Sequence, residues 1–140
     1  MQDTDKGEGA SLSFVVADDD PLMRDAVQLT LKAEWSDAHV MAAENGVQAT
    51  HFIREAATPV DVLVTDLIMP EQEGLETIRA LRQSDPDLGI VAISGGFETP
   101  TGEVKILDMA RYLGAHATVQ KPFDSNALIV AVRKAMTARK

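Results

Sequence analysis

Three carboxylates, a hydroxyl and an ammonium stand where one site could collect them: Asp18 with Asp19, then Asp66, Ser94 and Lys121. Each lies at the carboxyl end of a short apolar run. Brought together, the acids would repel. At about 4 Å and an effective dielectric near 20, each pair costs roughly 4 kcal/mol before relaxation. Such a cluster must take up a proton, pair with Lys121 or bind a cation. All-oxygen ligation suits Mg²⁺, which is usually held by one or two carboxylates together with a phosphate. The lysine would add a second positive contact for a phosphoryl group, and the serine hydroxyl would donate a hydrogen bond to it. The chemistry implied is phosphate meeting a carboxylate nucleophile. Asp66 on its own has a competing reading as a strand-end cap, because aspartate commonly starts loops. The whole set, gathered from the ends of four different runs, carries the signal.

The elements that must position these groups are legible in order. Leu12 to Ala17 reads as a first strand, and Pro21 after Asp18-Asp19-Asp20 marks a helix start. Leu22, Ala26, Leu29 and Ala33, with Met23, Val27 and Thr30, carry helical periodicity to about Glu34 or Trp35. A second strand covers Ala38 to Ala43, and a helix Val47 to Ala57 follows the turn at Glu44-Asn45-Gly46. The central strand, about Val60 to Thr65, carries the short apolar run that starts at Val62 and ends in Asp66, as expected of a strand buried on both faces. Gly74 opens a third helix that closes at Asp85-Pro86-Asp87, and Leu88 to Ser94 is a fourth strand. After a loop over Phe97 to Gly102, a helix from Glu103 to Leu113 stops at Gly114. Ala115 to Gln120 is a fifth strand, and Asp124 or Ser125 caps a last helix to about Thr137. That helix is apolar at Leu128, Ile129, Val132 and Met136. Its basic end (Arg133, Lys134, Arg139, Lys140) is expected to complement the helix dipole. Strands alternating with helices give a parallel sheet covered on both faces. In such a sheet all carboxyl ends share one edge, and ligands bind there.

Composition narrows the possible functions. At 140 residues, 45% of them hydrophobic, the chain suits one ordinary domain. Without cysteine there are no disulfides, thiolate metal sites or thiol nucleophiles. A net charge of −9 argues against a nucleic-acid surface. No run of apolar residues is long enough to span a membrane, and the polar stretch 1–11 reads as a flexible tail without a signal core, so a cytoplasmic location is expected. His39, His51 and His116 lie at no metal-ligand spacing.

Four pieces of the chain carry a resemblance. They are Val15-Val16-Ala17-Asp18-Asp19-Asp20-Pro21-Leu22-Met23-Arg24, Asp66-Leu67-Ile68-Met69-Pro70 with Gly74-Leu75, Ile93-Ser94-Gly95 and Lys121-Pro122-Phe123. Together they resemble the receiver domains of bacterial two-component response regulators, over about Leu12 to Thr137. The resemblance implies a flavodoxin-like (βα)5 α/β fold, a doubly wound parallel sheet of strand order 2-1-3-4-5. It implies Asp66 as phosphoacceptor, Asp19 as a direct Mg²⁺ ligand, Asp18 acting through the metal's waters and the Ile68 backbone carbonyl as a further ligand. Lys121 would contact the phosphoryl group, and Ser94 would move to hydrogen-bond it. Asp20, the odd acid of the triplet, reads as a helix-initiating acid. The partners implied are a histidine kinase or histidine phosphotransfer protein upstream and a protein target downstream, met through the fourth helix, fifth strand and fifth helix, about Glu103 to Val132. No nucleic-acid or membrane contact is implied, and homodimer formation is left open.

The chain departs from the family pattern at several points. The aromatic residue usual three positions before the lysine is replaced by Thr118. Phe97 and Tyr112 are the aromatic candidates to replace it, and Tyr112 reads as ordinary helix packing. The segment between Ser94 and Lys121 is long, with the extra residues in Gly95 to Gly102. Ile68 and Gly96 occupy positions that carry rate control in the family, and neither side chain can hold an attacking water, so slow self-dephosphorylation is expected. The reading is a tail over 1–11 and a stand-alone receiver domain over 12–138, a signalling module and not a turnover enzyme. The alternatives are a receiver fragment of a longer regulator and an aspartate-nucleophile phosphatase or phosphotransferase. The latter enzymes usually place a second acid two residues after the nucleophile, where this chain has Ile68.

Overall fold

The computed structural model describes residues 11–67, 74–95 and 108–138. Its sheet has five parallel strands: β1 (Ser13–Ala17), β2 (His39–Ala43), β3 (Val62–Asp66), β4 (Gly89–Ser94) and β5 (Ala117–Gln120), in the order β2-β1-β3-β4-β5. Between them run α1 (Pro21–Glu34), α2 (Gly46–Glu55), α3 (Gly74–Ser84) and α4, whose described part covers residues 108–113, and α5 (Ser125–Ala138) closes the chain. The five expected strands are all present, shortened by up to two residues at their starts.

Side-chain alternation along the strands sorts the core into two layers. Phe14, Val16, Val62, Val64, Val91, Ile93, Ala117 and Val119 pack with Val27 and Leu31 of α1 and Leu128, Ala131, Val132 and Ala135 of α5. Val15, Ala17, Leu63, Ile90 and Ala92 pack with Ala49 and Ile53 of α2, Ile78 and Leu81 of α3 and Ala110 of α4. The inner strands β1, β3 and β4 are buried at every position, which explains why they read as unbroken apolar runs.

Helix boundaries follow from their caps. Asp20 accepts from the Leu22 N–H at 3.0 Å ahead of Pro21, so the third acid of the triplet does initiate α1. Asn45 caps α2 through the Gln48 N–H at 2.8 Å, and Asp124 receives the Ala127 N–H at 2.8 Å at the start of α5.

The packing of α1, Tyr112 and the end of α5 sharpens or corrects the expectations. On α1 the buried side chains are Val27 and Leu31, while Leu22 and Leu29 are 79% and 71% exposed. The helix carries two apolar stripes, and the one continuing Met23 and Val27 faces the sheet. Tyr112 is 90% exposed and is not a packing residue. The last turn of α5 contains no basic residue. Arg133 instead lies over the Trp35 ring, 5.2 Å from its centroid, and pairs with Glu34, tying α5 to the end of α1. Arg139 and Lys140 lie outside the described residues, as do the stretch 1–10, the loop after Gly95 and the start of the fourth helix.

Candidate functional site

Strand order and register together set the site. The chain winds from β1 outward to β2, then returns past β1 to β3, so a crevice opens above the carboxyl ends of β1 and β3. Ala17 is level with Thr65, so the next residues, Asp18 and Asp66, come alongside each other. Extending the alternation past the strand ends puts Asp18, Asp66 and Lys121 on the α1/α5 side, in step with Val16, Val64 and Val119.

Asp18 is 2% exposed and tightly held. Its N–H donates to the Ala43 carbonyl at 3.1 Å, and its Oδ1 accepts from the Asp20 N–H at 2.9 Å. Its carbonyl accepts from Arg24 Nη1 at 2.9 Å. Oδ2 is buried and has no hydrogen-bond partner among the described residues. Burial raises the Asp18 carboxyl above its ordinary range, and the Asp19 and Asp20 charges add to this. The Asp20 N–H and Lys121 oppose it. Asp66 Oδ1 accepts from the Leu67 N–H at 2.9 Å. The Lys121 ammonium sits between the two acids, 3.6 Å from Asp18 Oδ2 and 3.7 Å from Asp66 Oδ2. Asp19 is exposed at the rim, yet Asp18, Asp19 and Asp66 each offer an oxygen within 4.8 Å of the others.

Hard carboxylate oxygens, one of them buried without a hydrogen bond, fit a small divalent cation. The residues present could therefore hold one, and Lys121 alone cannot neutralise three acids.

The structure gathers Asp18, Asp19, Asp66 and Lys121, as the spacing of the runs implied. Ser94 stands apart. It is buried at the end of β4, but it continues the alternation of Ile90 and Ala92 toward the α2–α4 side, and its hydroxyl donates to the Gly95 carbonyl at 3.3 Å. Ile68, Gly96 and Phe97 lie outside the described residues. Thr118, at the usual aromatic position, accepts a 3.0 Å hydrogen bond from Arg111 Nη2 of α4.

Sequence reasoning missed two contributors. Arg24 was visible in the first motif, but nothing in a sequence says that its guanidinium reaches back to a main-chain carbonyl. Gly74 was read only as a helix opener. A Cβ there would come within 2.3 Å of the Asp66 carbonyl oxygen and 2.6 Å of Leu67 Cα. Its N–H also donates to the Leu67 carbonyl at 3.0 Å, so α3 starts directly against the end of β3.

The family model for the response regulator receiver domain matches residues 14–133. The chain belongs to this family. Among curated relatives, the chemotaxis protein CheY of Listeria monocytogenes is 30% identical over 125 residues, covering 89% of this chain and 98% of CheY. The C4-dicarboxylate transport transcriptional regulatory protein DctD of Pseudomonas aeruginosa is 30% identical over 131 residues, 94% of this chain but only 26% of that protein. The chain likewise spans 56% of the transcriptional regulatory protein FixJ of Azorhizobium caulinodans. Among solved structures, a response regulator receiver domain protein from Clostridium thermocellum superposes with a TM-score of 0.79 at 21% identity, over 90% of this chain and 94% of that one, which speaks to the fold. The protein is thus a receiver domain of two-component signalling. No helix among the described residues is long and apolar enough to cross a membrane.

Proposed function

We propose that this receiver takes a phosphoryl group onto Asp66 from the phosphohistidine of a histidine kinase or histidine phosphotransfer protein. The observation that carries the reading is the placement of one ammonium within 4 Å of two buried carboxylates, Lys121 Nζ at 3.6 Å from Asp18 and 3.7 Å from Asp66. An Asp66 oxygen attacks phosphorus as the bond from phosphorus to the imidazole nitrogen breaks, and the acyl phosphate is later hydrolysed. Transfer of this kind needs positioning and charge neutralisation more than covalent help. Lys121 supplies a fixed positive charge to the phosphoryl oxygens, and the Leu67 N–H holds one Asp66 oxygen in place. Asp18, Asp19 and Asp66, with the Ile68 carbonyl by resemblance, would hold Mg²⁺, which when bound neutralises the acids and the phosphoryl oxygens. Ser94 would have to leave its bond to the Gly95 carbonyl to reach the phosphoryl group, and that movement would carry the signal outward.

The receiver would work in the cytoplasm as a stand-alone signalling module and not as a turnover enzyme, its output a protein contact through α4, β5 and α5. Support for a stand-alone module comes from the near full-length match to CheY. DctD and FixJ show the domain within longer regulators, so the size of the native gene product tests that part. Support for the output surface comes from Met109 and Tyr112 on α4 and Val130 on α5, all large exposed apolar side chains.

Intact mass after incubation with Mg²⁺ and acetyl phosphate or phosphoramidate tests the acceptor. One added phosphoryl group is expected on the wild type and none on Asp66→Asn. An adduct that survives in Asp66→Asn would move the acceptor to Asp18 or Asp19. No adduct even with a phosphohistidine donor would overturn the reading.

A further inference from the structure

We infer that Arg24 is a positioning residue for the acidic pair after β1: it grips the Asp18–Asp19 peptide and so aims the Asp19 carboxylate at a bound divalent cation. The inference rests on the reading of Asp18, Asp19 and Asp66 as a cation site. Asp18 is fixed through its N–H, its Oδ1 and its carbonyl, and the last of these is held by Arg24 Nη1 at 2.9 Å. Arg24 is itself anchored, since its N–H donates to the carbonyl of the cap residue Asp20 at 2.9 Å. The Asp18 carbonyl and the Asp19 N–H belong to one rigid plane. Holding the oxygen therefore fixes the direction in which the backbone enters Asp19. This matters because no other contact among the described residues guides Asp19. It is exposed, and no hydrogen bond among the described residues holds its carboxylate. Asp18 has its own Oδ1 bond, whereas Asp19 depends on its main chain.

The guanidinium acts by geometry and not as a counter-charge. Its contact is from Nη1 to a main-chain carbonyl and not to a carboxylate. A lysine at position 24 would keep the charge but lose the planar fork that meets the carbonyl from a pre-organised angle.

The test is calorimetric measurement of Mg²⁺ affinity for the metal-free full chain, comparing wild type, Arg24→Gln, Arg24→Lys and Asp19→Asn, with thermal melts in the absence of metal. Loss of a group that orients a metal ligand typically costs about 10–100-fold in affinity. Arg24→Gln is expected at the lower end, about tenfold weaker, with Arg24→Lys recovering only part of the loss and both variants melting cooperatively without metal. Asp19→Asn, which removes the ligand itself, sets the floor. Wild-type affinity in Arg24→Gln would overturn the inference while leaving the cation site standing. Full recovery in Arg24→Lys would also overturn it, because charge and not geometry would then be acting. If the wild type binds no Mg²⁺, or Asp19→Asn binds it undiminished, the cation-site reading fails and takes this inference with it.

Discussion

Two buried aspartates stand at opposite edges of the same sheet, and they differ in what is left over. Asp61, 3% exposed, precedes β3 at the amino edge. Its Oδ2 accepts the Ser13 N–H at 2.8 Å, its own N–H donates to the Ser13 carbonyl at 2.8 Å, and its carbonyl accepts the Gly89 N–H at 3.0 Å. One residue thus joins the starts of β1, β3 and β4. Asp18, 2% exposed at the carboxyl edge, is also held by backbone, but its Oδ2 is buried without a hydrogen bond and faces an ammonium and two more acids. Burial alone does not separate a structural acid from a functional one. Unused hydrogen-bonding capacity does, because a buried polar oxygen without a hydrogen bond costs free energy that a proton, a cation or a ligand can recover.

The glycines beside the two aspartate edges sharpen the contrast, and the largest effect is expected there. At the amino edge, a Cβ on Gly89 would meet the Asp61 and Ala135 carbonyl oxygens at 3.0 and 3.1 Å, a tight fit that small shifts relieve. At the carboxyl edge, a Cβ on Gly74 would drive into the backbone of Asp66 and Leu67, where nothing flexible can yield. Overpacking of this kind typically costs about 1–3 kcal/mol and occasionally more. Gly74→Ala is expected at about 3 kcal/mol or above and Gly89→Ala near the lower figure, read as shifts in urea midpoint. Gly74→Ala should also slow phosphoryl uptake by displacing Asp66. Equal costs for the two would mean that the α3 start is not seated against the acceptor strand.

That seating also shows where sequence legibility stopped. The strands and the gathering of Asp18, Asp19, Asp66 and Lys121 were readable because they depend on short apolar runs alternating with helical stretches and on the rule that parallel strands share a carboxyl edge, whereas the strand order came from the resemblance to receiver domains. Ser94 was readable as a strand-end residue, but its bond to the Gly95 carbonyl depends on which side of the pleat it ends on, and that takes the register of four strands to work out. On α1, the stripe of Leu22, Ala26, Leu29 and Ala33 has helical spacing just as the buried stripe does. Only the packing of α5 and β1 against Val27 and Leu31 decides which stripe faces inward. Arg133 fits both a helix-end cation and a partner for Trp35 and Glu34. The choice is made by α1, about a hundred residues earlier in the chain. Long-range partners of long polar side chains leave no local signature.

The next effect is of opposite sign at the two edges. Asp61→Ala leaves the buried Ser13 N–H without its carboxylate partner, which should destabilise the metal-free protein by about 1–3 kcal/mol. Asp18→Asn keeps an oxygen to accept the Asp20 N–H and removes a buried charge whose ionised form burial already disfavours. It should stabilise the metal-free protein, by about 1 kcal/mol once the lost attraction to Lys121 is set against the relief, and abolish most of any stabilisation by Mg²⁺. Chemical denaturation with and without Mg²⁺ gives both numbers. Destabilisation by Asp18→Asn would remove the distinction between the two acids.

The smallest effect lies at the amino edge and is a pH dependence. His116 precedes β5, and its ring Nδ1 accepts the Ile90 N–H at 3.1 Å while its main-chain N–H donates to the Ile90 carbonyl at 2.8 Å. Facing it is Arg82 of α3, whose guanidinium donates to the carbonyls of Gly114 and Pro86 at 2.8 Å and is itself near Asp85 and Asp87. Burial lowers the His116 pKa from its ordinary value of 6.5, and the Arg82 charge lowers it further. Between the lowered folded value and 6.5 the unfolded chain binds more protons than the folded one, so stability rises with pH across that window. The contribution of the neutral ring is fully present above 6.5 and is lost as pH falls toward the folded value, because protonation removes the acceptor for the Ile90 N–H. His116→Asn offers an oxygen near the Nδ1 position and does not titrate. Urea midpoints of wild type and His116→Asn should run parallel above neutrality and separate below it, with the wild type falling faster. The gap will be modest because the ring is only half-buried and solvent screens Arg82. Parallel curves down to acid pH would mean that the imidazole keeps its bond to Ile90 when charged, or never relied on it.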